Sequence, residues 1–192
     1  MRISTFKGAV TTASKEAFLQ AKAIRQNVTG TERHLDSGAM LVSKTDVGGL
    51  ITYVNSEFLK ISGYEEHEVL GAPHSIIRHP AMPRSVFKLL WETISKGEEV
   101  FAYVINRAKC GDHYWVFAHV TPTVNRTGKI IGFHSNRRAP SRTAIDAISP
   151  LYDAVNVIEK SHDRYGVERG LEFLLSKIAK SGLSYSEFIF SI

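Results

Sequence analysis

The sequence of 192 residues contains a single cysteine, Cys110. A disulfide framework within the chain is therefore excluded, and a cysteine-based zinc site has no support. No pair of histidines has the i, i+4 spacing of a helical metal site, so no metal site is predicted. This sparing use of cysteine is typical of a reducing compartment.

Long apolar runs are absent from the sequence. No stretch approaches the roughly 20 apolar residues that a membrane helix needs, and the N-terminal residues MRISTFKGAV have no apolar core of signal-peptide length. We therefore expect a cytoplasmic protein without membrane insertion. The net charge is +5, but no basic stripe accompanies a docking motif, so nucleic acid is not an expected partner.

The sequence also lacks the short motifs of common enzyme classes. It has no phosphate-binding loop of the Gly-x-x-x-x-Gly-Lys type and no Gly-x-Ser-x-Gly nucleophile elbow. We therefore predict that the protein is not an enzyme.

The composition is that of a folded globular domain, with 43% hydrophobic and 22% charged residues. Changes in pattern along the chain suggest three parts. These are an N-terminal helical extension at 1–38, a compact domain at 39–140 and a C-terminal helical segment at 141–192. Apolar residues at 4-3-4 spacing predict a helix at 13–28.

The central domain begins with a predicted β-hairpin. Apolar segments at 40–42 and 50–54 flank the turn at 46–49. Asn55 is a suitable N-cap for a short helix that Gly63 would end.

Residues 74–115 contain the most distinctive local sequence. Pro80 and Pro83 fix two φ angles and remove two amide donors, so 77–82 should form an ordered loop. Beyond Pro83, apolar residues at helical spacing predict a helix that ends before Gly97. Together with the hairpin turn at 109–112, this loop and helix could form the wall of a cavity.

Three strands are predicted next, at about 99–108, 113–124 and 129–138, with short turns that imply antiparallel neighbours. Neither face of these strands is purely polar, so both faces need a cover. The central helices should cover one face, and helix 13–28 or a second subunit the other. We therefore expect a homodimer.

This order of elements resembles a PAS domain. Within 39–155 the resemblance is closest to the PAS domain of bacterial aerotaxis receptors, whose corresponding pieces read GxPHxxxRHPDMP, KNRRKNGDHYWV and a trailing PLY. Here the pieces are GAPHSIIRHPAMP at 71–83, NRAKCGDHYWV at 106–116 and PLY at 150–152.

The resemblance implies an α+β PAS fold, a five-stranded antiparallel sheet with short helices on one face, plus N-terminal and C-terminal helices. It also implies noncovalent binding of FAD and the reporting of redox state or oxygen in an aerotaxis-type pathway, through a chemotaxis component or a kinase. The matching positions are Asn55, Arg78, His79, Trp91 and Asn106. These residue types suit a flavin, because Arg and His can bind phosphates or carbonyl oxygens, and Trp can stack.

Two departures from the family pattern keep other functions open. Ala81 stands where the family has Asp, and Glu99-Val100 stands where it has Pro-Trp. One alternative is a haem-binding PAS gas sensor with His74 or His79 as axial ligand. The other is a cofactor-free PAS dimerisation or interaction module.

Overall fold

Five antiparallel strands form the centre of the fold. The computed structural model of the protein describes residues 28–161 and 163–192, so the helix predicted at 13–28 lies outside the described residues apart from its last position. The strands are β1 (Leu41–Thr45), β2 (Ile51–Val54), β3 (Val100–Arg107), β4 (His113–Val124) and β5 (Ile130–Arg138).

The sheet has the strand order β2-β1-β5-β4-β3, and all neighbours are antiparallel. The first and last strands of the chain therefore pair in the middle of the sheet, where Leu41 lies opposite Arg137 and Ser43 opposite Ser135. Because side chains alternate along a strand, all these residues share one face, which we call the inner face. The predicted five-stranded antiparallel sheet is confirmed.

Short helices between β2 and β3 cover the inner face. They are α1 (Ser56–Ser62), α2 (Glu66–Val69), a 3-10 turn (His74–Ile77) and α3 (Arg84–Ile94). Asn55 caps α1 as predicted, because its Oδ1 accepts the Phe58 amide at 3.1 Å. Gly63 ends α1 with a left-handed φ of 70°.

The segment after β5 adds three helices that pack around the β3 edge. They are α4 (Arg142–Ser161), α5 (Gly166–Ala179) and α6 (Tyr185–Ser191), with a 3-10 turn (Asp163–Tyr165) before α5. A capping box begins α6, since Ser184 and Glu187 satisfy each other's backbone amides.

The outer face of β3 and β4 is covered by this C-terminal segment. The Tyr152 ring of α4 stacks on Trp115 at 6.3 Å, and its hydroxyl donates to the Tyr103 carbonyl at 2.8 Å. The Phe190 ring near the end of α6 lies 4.6 Å from that of Phe101. The sequence predicts that helix 13–28 or a second subunit covers this face. Over β3 and β4, the protein's own C-terminal helices cover it instead.

Helix α4 also holds the N-terminus of α3. The Glu159 carboxylate accepts the backbone amides of Arg84 at 3.0 Å and Ser85 at 2.7 Å, and the Ser85 hydroxyl at 2.8 Å. The first amides of a helix have no partner within it, and Pro83 offers them no side-chain oxygen. Glu159 thus caps α3 from another helix, and Asn156 adds a bond to the Ala81 carbonyl at 2.6 Å.

Candidate functional site

A cavity of about 560 Å³ lies between the inner face of the sheet, the segment 73–78 and α3. Apolar side chains of β3, β4, β5 and α3 form much of its wall, and Val167 adds a contact from α5. Exposed lining residues, Gly48 of the β1–β2 turn and Arg84 and Trp91 of α3, show where the cavity reaches the surface. Its polar lining residues are Ser43, Thr45, His74, Ser75, Arg78, Arg84, Lys88, Asn106, Ser135 and Arg137.

The charges in this lining have one sign. Four of the lining residues, Arg78, Arg84, Lys88 and Arg137, are cationic, and none of the described lining residues is Asp or Glu. Lys88 is partly neutralised by Glu92, whose carboxylate lies 2.7 Å from its Nζ. The wall therefore suits a ligand that is anionic or rich in hydrogen-bond acceptors.

Asn106, predicted as a site residue, lies in the cavity wall near the end of β3. Its side chain is 3% exposed, and its Nδ2 has no hydrogen-bond partner within the described residues. Its backbone pairs with that of Arg78 in an isolated bridge. A buried amide without a partner costs about 1–3 kcal/mol. A ligand in the cavity that accepts a hydrogen bond from Asn106 would offset this cost.

Arg78, another predicted site residue, also lines the cavity. It is half-buried, and its guanidinium lies 4.6 Å from the centre of the Phe87 ring, a cation–π contact. A long hydrogen bond of 3.5 Å joins its Nη2 to the Met82 carbonyl. These contacts place the charge of Arg78 beside the apolar wall that α3 contributes.

Trp91, the third predicted residue in the wall, lies at the rim. It is 38% exposed and meets the Phe133 ring edge-on at 5.3 Å. A side chain at Gly49 would come within 3.1 Å of the Trp91 ring. The absence of a side chain there allows the β1–β2 turn to pack against the indole.

His79 and Asn55, the other predicted site residues, are not among the lining residues. His79 Nδ1 accepts the Ala81 amide at 3.2 Å, and its ring centre lies 5.5 Å from that of His113. Burial, with smaller effects of His113 and Arg107, lowers the pKa of His79 to about 4. Asn55 is engaged with the backbone of β1 and α1, where Oδ1 accepts the Val42 and Phe58 amides.

Sequence reasoning missed the polar group at the β1–β5 pair. Arg137 is 4% exposed. Its Nη2 donates to Ser43 Oγ at 3.0 Å and contacts His74 Nε2 at 2.7 Å. The side-chain alternation of β5 does show that Phe133, Ser135 and Arg137 share one face. Only the pairing with β1 identifies that face as the inner one.

The geometry of the histidines bears on the haem alternative. His74 lines the cavity, but its Nε2 is engaged by Arg137, and His79 lies outside the wall. An axial ligand needs a free imidazole nitrogen directed at the iron. The two departures from the family pattern, Ala81 and Val100, are likewise outside the lining.

Comparison with known proteins agrees with this architecture. Residues 51–137 match the family model of the PAS fold. A solved light-oxygen-voltage domain, studied with a flavin analogue, superposes with a TM-score of 0.52 at 18% identity, over 60% of this chain and 86% of that one. This part of the chain is a PAS domain.

The PAS domain has relatives among signalling proteins. The chain is 43% identical to the aerotaxis receptor of Escherichia coli K12 over 129 residues, which are 67% of this chain and 25% of the receptor. It is 26% identical to the nitrogen fixation regulatory protein of Klebsiella pneumoniae over 96 residues, 50% of this chain and 19% of that protein. The chain thus spans a quarter or less of these relatives.

Within residues 28–161 and 163–192, no helix is both long enough and apolar enough to cross a bilayer.

Proposed function

We propose that this PAS domain binds a flavin, and specifically FAD, and acts as a sensor of redox state or oxygen in an aerotaxis-type pathway. The observation that carries the proposal is the cavity. Its volume of about 560 Å³ falls in the range of small-molecule sites, roughly 300–1,000 Å³. The similarity to an aerotaxis receptor supports this choice of pathway.

The residues present fit such a cofactor. A flavin ring is planar and apolar on its faces and carries carbonyl oxygens and ring nitrogens at its edge. The apolar wall of α3 and the sheet suits the faces, while the amide of Asn106 can pair with the edge. At the exposed side, the side chains of Arg84, Lys88 and Arg78 can bind the phosphates of FAD.

The phosphates would be held by side chains and not by the N-terminus of α3. The first amides of that helix are often anion sites, but here the Glu159 carboxylate already accepts two of them. Trp91 at the rim can stack on part of the cofactor that leaves the cavity. Flavin supplies the electron-transfer chemistry when bound, and the protein supplies binding and orientation.

The C-terminal helices offer a route for output. Helix α3 contributes to the cavity wall and is capped by α4, and Val167 of α5 touches the same cavity. A change in ligand charge would alter hydrogen bonding in the wall and shift how these helices pack. We propose a non-enzymatic cytoplasmic homodimer that passes this change to a downstream signalling protein, a chemotaxis component or a kinase.

The test is the visible absorption spectrum of the freshly purified protein, before and after adding FAD. Flavin bands that dithionite bleaches support the proposal. A Soret band would replace it with the haem sensor, and a spectrum that stays flat after FAD is added would replace it with a cofactor-free interaction module.

Paired asparagine variants then locate the site. Asn106→Ala should lower FAD affinity about tenfold or more, because it removes the unpartnered amide in the wall. Asn136→Ala, on the opposite face of β5, is the matched control and should bind FAD like the unmodified protein. Equal loss in both variants would place the flavin elsewhere.

A further inference from the structure

The polar group at the β1–β5 pair contains a buried cation, the guanidinium of Arg137. Arg137 uses Nη2 to contact Ser43 and His74. Its Nη1 is buried and makes no hydrogen bond within the described part of the chain. Among the described residues, no acidic side chain lines the cavity with it. A buried charge of this kind is costly unless a partner of opposite charge, or a strong acceptor, reaches it.

The neighbours of Arg137 orient its guanidinium without neutralising it. A guanidinium can only donate, so His74 must accept through Nε2 and carry its own proton on Nδ1. Burial, with the charge of Arg137 second, lowers the pKa of His74 to about 3. Burial also lowers the pKa of Arg137, to about 10. At neutral pH the pair is therefore a neutral imidazole and a charged guanidinium.

A second buried donor lies in the same region. Ser135 precedes Arg137 by two residues on the inner face and lies opposite Ser43. Its Oγ is buried without a hydrogen bond among the described residues, and it lines the cavity. The hydroxyl and Nη1 belong to lining residues two positions apart on one strand, and each can donate a hydrogen bond to a ligand in the cavity. The complementary ligand atom is an acceptor, and one with negative charge fits best.

We propose that Arg137, held in place by His74 and Ser43, binds the carbonyl edge of the flavin ring and favours its reduced, negatively charged form. This inference rests on the proposed flavin-binding function. It adds Arg137 to the site residues that the family resemblance implies. The reason is Coulombic, because a fixed positive charge in a site of low dielectric stabilises added negative charge more than it stabilises a neutral acceptor.

The experiment measures FAD affinity and midpoint potential in the full chain. Dithionite in the presence of a redox dye supplies the electrons, and uptake of two electrons and one proton gives the bound ring one added negative charge. Arg137→Gln should weaken FAD binding at least about tenfold. A further tenfold loss of preference for the reduced form would lower the midpoint potential by about 30 mV.

Two further variants separate the role of Arg137 from general effects. Arg137→Lys keeps the positive charge but loses the planar, two-pronged donor geometry of the guanidinium. Its FAD affinity should therefore fall, while its midpoint potential should stay close to that of the unmodified protein. Arg138→Gln is the matched control, since Arg138 is exposed on the outer face of the same strand, and it should change neither quantity. If Arg137→Gln does not fold, as judged by circular dichroism, the lysine variant decides the question.

The outcomes distinguish the two proposals. If the unmodified protein binds FAD and the Arg137 variants match it in affinity and potential, the inference about Arg137 is overturned and the flavin site stands. If the unmodified protein takes up no FAD, both are overturned. A drop in affinity with an unchanged potential in Arg137→Gln would overturn the claim about the reduced form.

Discussion

At the scale of single residues, His74 links the cavity to the pH dependence of stability. Its pKa is about 3 in the folded protein against an ordinary value of 6.5, mainly because of burial. Between these values the unfolded chain binds a proton that the folded protein does not. The free energy of unfolding therefore falls as the pH falls through this window, by up to about 1.4 kcal/mol per pH unit for one such group.

We predict that His74→Gln flattens this dependence. Glutamine keeps an acceptor for Arg137 but cannot titrate, so urea denaturation between about pH 6.5 and 4.5 should show a smaller loss of stability than in the unmodified protein. His79, whose pKa is also lowered, to about 4, accounts for part of what remains. His67→Gln, at an exposed position of α2, is the control, and an unchanged slope in His74→Gln would contradict the prediction.

Gly132 is a second residue with a specific structural requirement. A Cβ built on it would be in hard contact with the backbone carbonyl oxygen of Thr45 on β1. We predict that Gly132→Ala lowers the free energy of unfolding by about 1–3 kcal/mol, because β1 and β5 must separate to admit a methyl group. Gly38→Ala, where no atom of the described residues lies within 4 Å of the added Cβ, should stay within about 0.5 kcal/mol in the same urea titration.

At the scale of elements, helix α3 depends on a cap from elsewhere in the chain. The Glu159 oxygens accept from Arg84 and Ser85, and the negative charge also opposes the positive end of the helix dipole. We predict that Glu159→Gln lowers the free energy of unfolding by about 1–2 kcal/mol. Glu172→Gln, an exposed position on α5, is the control. Equal stabilities of the two variants in thermal denaturation would show that the cap contributes nothing.

Elements with local determinants could be predicted from the sequence. Asn55 and Gly63 act within a few residues of themselves, and each has its predicted role in α1. The bounds that the sequence pattern predicts for β3, β4 and β5 agree with the observed bounds to within one residue. The cap of α3 could not be predicted, because Glu159 lies 74 residues from Ser85 and nothing local marks the pair.

The same distinction applies to the candidate site. Arg78, Trp91 and Asn106 lie in or beside elements whose orientation follows from local pattern and family resemblance, and all three line the cavity. Arg137 is inward-facing only because β5 pairs with β1, a contact across 94 residues. The family resemblance assigns His79 and Asn55 to a ligand, whereas their observed hydrogen bonds are with backbone amides and carbonyls.

At the scale of the whole molecule, the C-terminal helices share the core of the PAS domain. Ile148, Val155, Leu174 and Ile189 are buried in one cluster with Phe58, Val69 and residues of the sheet. The change of pattern near residue 140 therefore marks a change in element type and not a break in the core. Such packing favours cooperative unfolding of the two parts.

We predict that Ile189→Ala destabilises the whole molecule and not α6 alone. Ile189 has no exposed surface, so its truncation should cost about 2–5 kcal/mol. Trp fluorescence and far-ultraviolet circular dichroism should report one coincident thermal transition at a lower temperature. Phe190→Ala, whose ring is 59% exposed, should have a smaller effect. Two separate transitions in Ile189→Ala would contradict the prediction.

The position of β5 in the middle of the sheet has a consequence for biosynthesis. The inner face that lines the cavity joins Ser43 to Arg137 across 94 residues, and such long-range pairings form late because the chain must first close a long loop. During translation, β1 and β2 emerge well before the strand that must separate β1 from β4. A nascent chain therefore has no complete cavity until β5 has left the ribosome, so binding of the proposed flavin would have to follow the synthesis of this domain.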